Sequence, residues 1–211
     1  MTQKPYVVLL LILIMVSPAN GHSFDNAPMV RTVAIDVDGI SLSARLYPAL
    51  SSTPGAGLVL LHGWSWPEND PATGLVVPAR EFQRAGFTVL VPSMRGWPPS
   101  GGIDDCAGRQ VDDALALLEW LGQQPGIDAA RRYLAGFSQG GAIALHTGLR
   151  YAQPLAGILA LSTYLPLATY FEPERHAANQ RTPVFMAHGR QDPIVPFELG
   201  ERTRELLARN D

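Results

Sequence analysis

Short runs of apolar residues recur along the chain between segments rich in glycine, proline and serine. Five of these runs are short and continuous: Leu58–Leu61, Phe87–Val91, Tyr133–Ala135, Ile158–Leu161 and Val184–Ala187. Continuous short runs are typical of strands that are covered on both faces of a parallel sheet. The pattern therefore predicts a sheet whose central strands are buried.

Segments with helical periodicity alternate with these runs. In the clearest of them, Arg109–Leu121, five apolar residues fall on one face: Val111, Ala114, Leu115, Leu118 and Leu121. Weaker patterns of the same kind cover Pro78–Arg84, Gly140–Tyr151 and Phe197–Arg209. Strands that alternate with helices indicate an α/β fold, with a mostly parallel sheet, right-handed crossovers and helices on both faces.

Two further features are a hairpin near the start of the chain and a pair of long loops. Val33–Val37 and Leu42–Tyr47 alternate as strands and are joined by Asp38-Gly39, which is a strong hairpin signal. The turn-rich stretches 64–73 and 92–105 are predicted to be long loops that follow central strands. Ligands of open parallel sheets bind beyond the carboxyl ends of the strands, so these loops are where a functional site is expected.

The first 21 residues have a different character from the rest. Lys4 precedes the unbroken apolar run Tyr6–Val16, and Ala19-Asn20-Gly21 supplies small residues for cleavage. This is the pattern of a signal peptide, so we expect residues 22–211 to form one exported domain, periplasmic or extracellular. The alternative is a membrane anchor, but the run is shorter than the roughly 20 apolar residues that cross a bilayer.

The composition narrows the classes of function. The chain of 211 residues has 46% hydrophobic and 17% charged residues and a net charge of -3, which fits one globular domain. Such a weak charge gives no reason to expect a nucleic-acid partner or an acidic membrane. Cys106 is the only cysteine, so no internal disulfide can form, and its surroundings do not resemble a turn that would activate a thiol. The oligomeric state is left open.

The sequence Gly136-Phe137-Ser138-Gln139-Gly140-Gly141 stands between a predicted strand and a predicted helix. In that setting a G-x-S-x-G motif forms a sharp turn that exposes the serine as a nucleophile. Gly136 and Gly140 are expected to be glycines because the strand and the helix pass too close for side chains. Ser138 would then lie at a helix N-terminus, where developing negative charge is favoured.

A serine nucleophile also needs an oxyanion hole and a base. Leu61-His62-Gly63-Trp64 ends the first central strand, so the backbone N–H groups of Trp64 and Gln139 are the expected oxyanion donors. His62 could be the base. We favour instead a structural histidine whose ring bonds the backbone of its loop, because such a turn presents amides rather than side chains.

Four segments resemble the phospholipase/carboxylesterase group of α/β-hydrolases, to which acyl-protein thioesterases and dienelactone hydrolases are related: His62-Gly63, 136–141, 161–166 and 188–196. The middle of the chain, from Arg95 through the 109–121 helix, also resembles dienelactone-hydrolase-like and prolyl-oligopeptidase-like enzymes. The resemblance implies hydrolysis of a small-molecule carboxylic ester or thioester through an acyl-Ser138 intermediate. It further implies Asp192 as the triad acid, and neither cofactor nor metal. A serine at position 138 counts against dienelactone chemistry proper, which uses a cysteine.

The chain departs from the family's order of nucleophile, acid and histidine, because no histidine follows Asp192. We therefore expect a fold that lacks its last strand and helix through a truncated coding sequence, and an impaired enzyme. The missing last strand would also leave the 184–187 strand as an exposed apolar edge. Among the other histidines, only His176 is expected on the correct edge of the sheet to substitute as a base. The alternatives are an inactive hydrolase-fold binding protein and a prolyl-oligopeptidase-like peptidase, although no propeller domain is present.

Overall fold

A computed structural model describes residues 29–50, 54–64, 69–106 and 108–209. Within these ranges no helix is long and apolar enough to cross a membrane. The predicted signal peptide and its cleavage site lie outside the described residues, so export stays a prediction.

In the part of the chain that the structure describes, seven strands form one sheet in the order β1-β2-β4-β3-β5-β6-β7. The first two strands run antiparallel to their neighbours, and β4, β3, β5, β6 and β7 pair in parallel. The strands are β1 Arg31–Val37, β2 Ile40–Tyr47, β3 Gly55–Leu61, β4 Phe87–Pro92, β5 Ile127–Phe137, β6 Gly157–Leu161 and β7 Val184–Ala187. The predicted mostly parallel α/β architecture is confirmed.

The hairpin of β1 and β2 turns at Asp38-Gly39, as the sequence indicates. Val37 pairs with Ile40, and both turn residues have positive φ, 52° for Asp38 and 76° for Gly39. Positive φ at both central residues is the requirement of a type I′ turn, which matches the twist of the two strands. The amide of Gly39 also donates to the Asp36 carboxylate.

Among the described residues, five α-helices connect or follow the strands: α1 Val76–Arg84, α2 Gln110–Gly122, α3 Gln139–Arg150, the single turn α4 Phe171–Glu174, and α5 Phe197–Ala208. The four longer ones match the segments with helical periodicity. Three short 3-10 turns, at Pro71–Leu75, Ala168–Tyr170 and Ala177–Asn179, were not predicted. They are too short for any periodicity to mark them.

The core is divided by the sheet into two layers. Successive residues of each central strand point to opposite faces, as in β3, where Val59 and Leu61 join one cluster and Leu58 and Leu60 join the other. Helices α2 and α3, together with Leu207 of α5, cover the first face. Ala79 and Phe82 of α1 cover the second. Helices therefore lie on both faces, as expected.

The edge of the sheet at β7 is only partly covered. Within the described residues β7 pairs only with β6, and its apolar residues Val184, Phe185 and Met186 are only half-buried. On the second face, a groove of about 570 Å³ runs beside this strand and is lined by Phe87, Tyr133, Phe185 and other residues. The described strand therefore has an exposed apolar edge, as the sequence suggested.

Candidate active site

The parallel strands bring four loops to one edge of the sheet. The carboxyl ends of β3, β5, β6 and β7 lie side by side, because these strands pair in parallel and in sequence. They are followed by Gly63, Ser138, Ser162 and Asp192. The sequence-predicted nucleophile, oxyanion loop and acid are therefore placed at the same edge, as expected for an open parallel sheet.

Ser138 sits at the sharp turn between β5 and α3. Its backbone has φ 53° and ψ -116°, a conformation that non-glycine residues rarely adopt. The turn is held on both sides, since the Ser138 N–H donates to the Leu161 carbonyl at 2.9 Å and the Ser138 carbonyl accepts from Ala142 at 3.0 Å. A strained residue persists only where its surroundings over-determine it, and such residues cluster at functional sites.

The two elbow glycines are required by close backbone contacts. A Cβ on Gly136 would lie 2.5 Å from the Gly141 nitrogen, and one on Gly140 would lie 2.6 Å from the Leu61 carbonyl oxygen. Real Cβ atoms do not approach other atoms this closely. Glycine at these positions lets α3 pack against both β5 and the end of β3. This agrees with the reason given for Gly136 and Gly140 from the sequence.

Gly63 brings the predicted oxyanion loop against Ser138. A Cβ on Gly63 would lie 3.2 Å from the Ser138 Cβ and 3.1 Å from the Phe137 carbonyl oxygen. Trp64 is therefore adjacent in sequence to a residue that contacts the elbow. Its ring is exposed and stands edge-on to Trp97, with 6.1 Å between the ring centroids.

His62 is a structural residue in this geometry. Its Nε2 accepts from the Met94 N–H at 2.9 Å, so we assign the ring proton to Nδ1, which lies 2.7 Å from the Gly63 carbonyl oxygen. The ring is almost fully buried, and burial lowers the pKa of His62 from 6.5 to about 4. With both nitrogens engaged, the ring is not available as a base for Ser138.

The bond from His62 also orients the next peptide group. The Gly63 carbonyl and the Trp64 N–H belong to one planar trans peptide, so they point in opposite directions. Because the carbonyl is held by the buried ring, the Trp64 N–H is directed away from it. The predicted oxyanion donor therefore has a fixed peptide plane.

Gln139 begins α3, and the first amides of a helix have no acceptor within it. Its backbone N–H is thus suited to the predicted role. The Gln139 side chain donates to the buried Gln110 at 3.1 Å, and Gln110 in turn donates to the Arg95 carbonyl at 3.1 Å and to Asp104 at 3.0 Å. No local sequence pattern marks Gln110, because it is joined to the elbow across 29 residues.

Asp192 lies in the loop after β7. Its Oδ1 accepts from the backbone of Ile194 at 2.9 Å and of Val195 at 3.0 Å, and its Oδ2 lies 3.7 Å from His188 Nε2. The pKa of Asp192 is lowered, chiefly by the bonds from Val195 and Ile194, with smaller contributions from the Ser162 side chain and His188. The carboxylate is therefore held in its charged form, as the predicted role requires.

No histidine of the described residues donates to or accepts from the Ser138 side chain. His188 instead lies 2.8 Å from the Val195 carbonyl oxygen, and His146 lies along α3 away from the elbow. The prediction that His176 lies at the edge where Ser138 sits is wrong. The His176 N–H donates to the Leu149 carbonyl, near the far end of α3. Because a helix rises about 1.5 Å per residue, most of the length of α3 separates His176 from the elbow.

An open cleft of about 580 Å³ lies between the elbow and the acid loop. It is lined by Phe137 and by residues 189–194, including Asp192 and Ile194. Phe137 and Ile194 are exposed and give the cleft an apolar rim. Trp97 is buried against His62 rather than open to the cleft. In the part of the chain that the structure describes, no cluster of three His, Cys, Asp or Glu side chains could hold a metal ion.

Residues 112–210 match the family model described as phospholipase/carboxylesterase. The matched range contains Ser138, Gln139, both elbow glycines and Asp192. Over this range, which is just under half of the chain, the sequence is similar to the phospholipase/carboxylesterase family. The match agrees with the resemblance on which Asp192 was assigned.

Curated relatives match more than half of the chain. Acyl-protein thioesterase 1 of Neurospora crassa is 51% identical over 130 residues, which are 54% of this chain and 52% of that protein. Acyl-protein thioesterase 1 of Mycosarcoma maydis is 47% identical over 147 residues, 63% of this chain and 61% of that protein. The chain thus spans about half to three fifths of the length of these relatives.

Solved structures cover more of the chain. The crystal structure of esterase PE8 superposes with a TM-score of 0.67 at 27% identity, covering 80% of this chain and 84% of that one. The Pyrococcus furiosus esterase Pf2001 gives 0.67 at 20% identity, covering 86% and 79%, and supports the fold alone. The chain has the α/β-hydrolase fold. The resemblance to dienelactone hydrolases stays a prediction.

Proposed function

We propose that this chain is a serine hydrolase that cleaves carboxylic ester or thioester bonds through an acyl-Ser138 intermediate. The observation that carries the proposal is the backbone of Ser138, held at φ 53° between β5 and α3 with the Gly63 loop against its Cβ. Such a turn would present the serine to the backbone amides of Trp64 and Gln139, which is what attack on an acyl carbonyl needs. The named relatives, acyl-protein thioesterases and an esterase, support the same class of reaction.

Each site residue has a proposed role. Ser138 attacks the carbonyl carbon, and the N–H groups of Trp64 and Gln139 stabilise the oxyanion of the tetrahedral intermediate. Collapse of that intermediate expels the alcohol or thiol and leaves an acyl ester on Ser138, which water then hydrolyses. Asp192 is the acid that would orient an imidazole. The open cleft with its apolar rim suits small or accessible acyl groups.

Among the described residues, Ser138 has no histidine in the position of a general base. Because no described histidine contacts the Ser138 side chain, we propose that the serine is weakly activated and that turnover is impaired. An oxyanion hole and substrate binding still leave a residue of catalysis when a triad member is missing, roughly a thousandfold over water. A binding protein of the same fold is the second candidate, and the same observation favours it.

Chemical rescue by added imidazole separates these two functions. Hydrolysis of an aryl ester by the full chain is measured with and without millimolar imidazole, and the rate with Ser138→Ala is subtracted because imidazole itself cleaves such esters. We expect imidazole to raise the Ser138-dependent rate by about tenfold or more, since a general base contributes about 10²-fold or more to such reactions. A rate equal to that of Ser138→Ala under both conditions contradicts the hydrolase and leaves the binding protein.

A further inference from the structure

The peptide between Ser138 and Gln139 carries two groups with different tasks. Its N–H, from Gln139, is the proposed oxyanion donor, and its carbonyl, from Ser138, points the opposite way because the peptide is planar and trans. Whatever holds the carbonyl therefore sets the direction of the N–H. The carbonyl accepts from Ala142, which is an ordinary helical bond, and from a second donor outside the helix.

That second donor is Thr163. Its hydroxyl lies 2.7 Å from the Ser138 carbonyl oxygen, and the residue is only 1% exposed. The methyl side of Thr163 packs against the elbow as well, since a Cβ on Gly141 would lie 2.8 Å from Thr163 Cγ2. Thr163 follows the end of β6, whose Leu161 carbonyl accepts the Ser138 N–H. The end of β6 thus holds the nucleophile residue through both its N–H and its carbonyl.

We propose that Thr163 is a positioning residue, whose hydroxyl fixes the Ser138–Gln139 peptide so that the Gln139 N–H faces the developing oxyanion. The proposal rests on the proposed function. It is the counterpart of the bond from His62 to Gly63, which orients the other donor peptide at Trp64. A buried side chain therefore holds the carbonyl of each of the two donor peptides.

Two variants at position 163 separate positioning from packing. Thr163→Val keeps the shape and loses the hydroxyl, and Thr163→Ser keeps the hydroxyl and loses the methyl. The rate constant for labelling by a fluorophosphonate, whose phosphoryl oxygen would occupy the oxyanion hole, is measured together with the urea midpoint. We expect labelling to slow by about tenfold in Thr163→Val, less than the 10²–10³-fold lost when a donor is removed, and to change less than about twofold in Thr163→Ser.

Equal labelling rates in both variants, or losses that follow the urea midpoints, would overturn the positioning role. If the unaltered chain is not labelled at all, the proposed function fails. The hold of Thr163 on the Ser138–Gln139 peptide is then tested by a measurement that needs no catalytic reaction. Hydrogen exchange of the Ala142 amide, which shares the Ser138 carbonyl as its acceptor, should be faster in Thr163→Val than in Thr163→Ser. Equal exchange in the two variants would also overturn the proposal.

Discussion

The nucleophile turn and the acid loop lie at the same edge of the sheet, but they are held in different ways. Ser138 is held from three sides, by the end of β6, by the first turn of α3 and by the Gly63 loop. Asp192 is held chiefly by the amides of Ile194 and Val195 in its own loop. One site is built from distant parts of the chain, and the other from a short local turn.

The glycines of the two regions show the same difference. A Cβ on Gly140 would press into the backbone of Leu61, whereas a Cβ on Gly189 would meet only the Asp192 nitrogen, at 4.0 Å. Close packing of backbones fixes the strained nucleophile, and the acid loop has room to change. The comparison implies that substitutions at the elbow cost more than substitutions in the acid loop.

The largest expected effect comes from placing a methyl group at the elbow. Gly140→Ala should destabilise the fold by about 3 kcal/mol, because α3 must move away from β3, and it should abolish labelling of Ser138. The matched control is Gly189→Ala, for which we expect a change within about 0.5 kcal/mol. Urea unfolding of both variants measures the difference. Similar losses in the two variants would show that the elbow is no more tightly packed than the acid loop.

An effect of similar size is expected from pH through His62. The folded pKa of His62 is about 4 and its ordinary value is 6.5, so between these values the unfolded chain binds the proton more tightly. The stability that comes from the neutral ring is present above pH 6.5 and is lost as the pH falls toward 4. The shift corresponds to about 3 kcal/mol over the whole range.

The measurement is the free energy of unfolding in urea across this pH range for the unaltered chain and for His62→Asn. The asparagine keeps a side-chain donor for the Gly63 carbonyl but does not titrate. Groups other than His62 contribute equally to both proteins, so the difference between the two curves isolates the ring. We expect the unaltered chain to lose more stability on acidification; parallel curves would mean that His62 is not held neutral by burial.

Much of the fold could be predicted from local patterns. The β7 run Val184–Ala187 has the predicted bounds, and the helices differ from prediction by one or two residues. The strand β5 is longer than its predicted core of Tyr133–Ala135, because its first half, from Ile127, carries polar residues at the rim of the sheet. An apolar run marks only the buried part of a strand.

The site could be predicted in part. Ser138, Gly136 and Gly140 follow from one motif because a strand-to-helix turn imposes its own steric requirements. Thr163 and Gln110 could not be found, since their partners are 25 and 29 residues away in the sequence. The misplacement of His176 has the same origin: the sequence shows that it follows β6, but not that its loop returns along α3 to Leu149.

The most direct test of the central claim is the mass of the intact protein after exposure to a fluorophosphonate. An oxyanion hole beside a strained serine predicts a single adduct on the full chain, formed slowly, and none on Ser138→Ala. Gly189→Ala should acquire the same adduct as the unaltered chain. If the chain acquires no adduct, or if Ser138→Ala acquires the same one, Ser138 is not the nucleophile of a hydrolase.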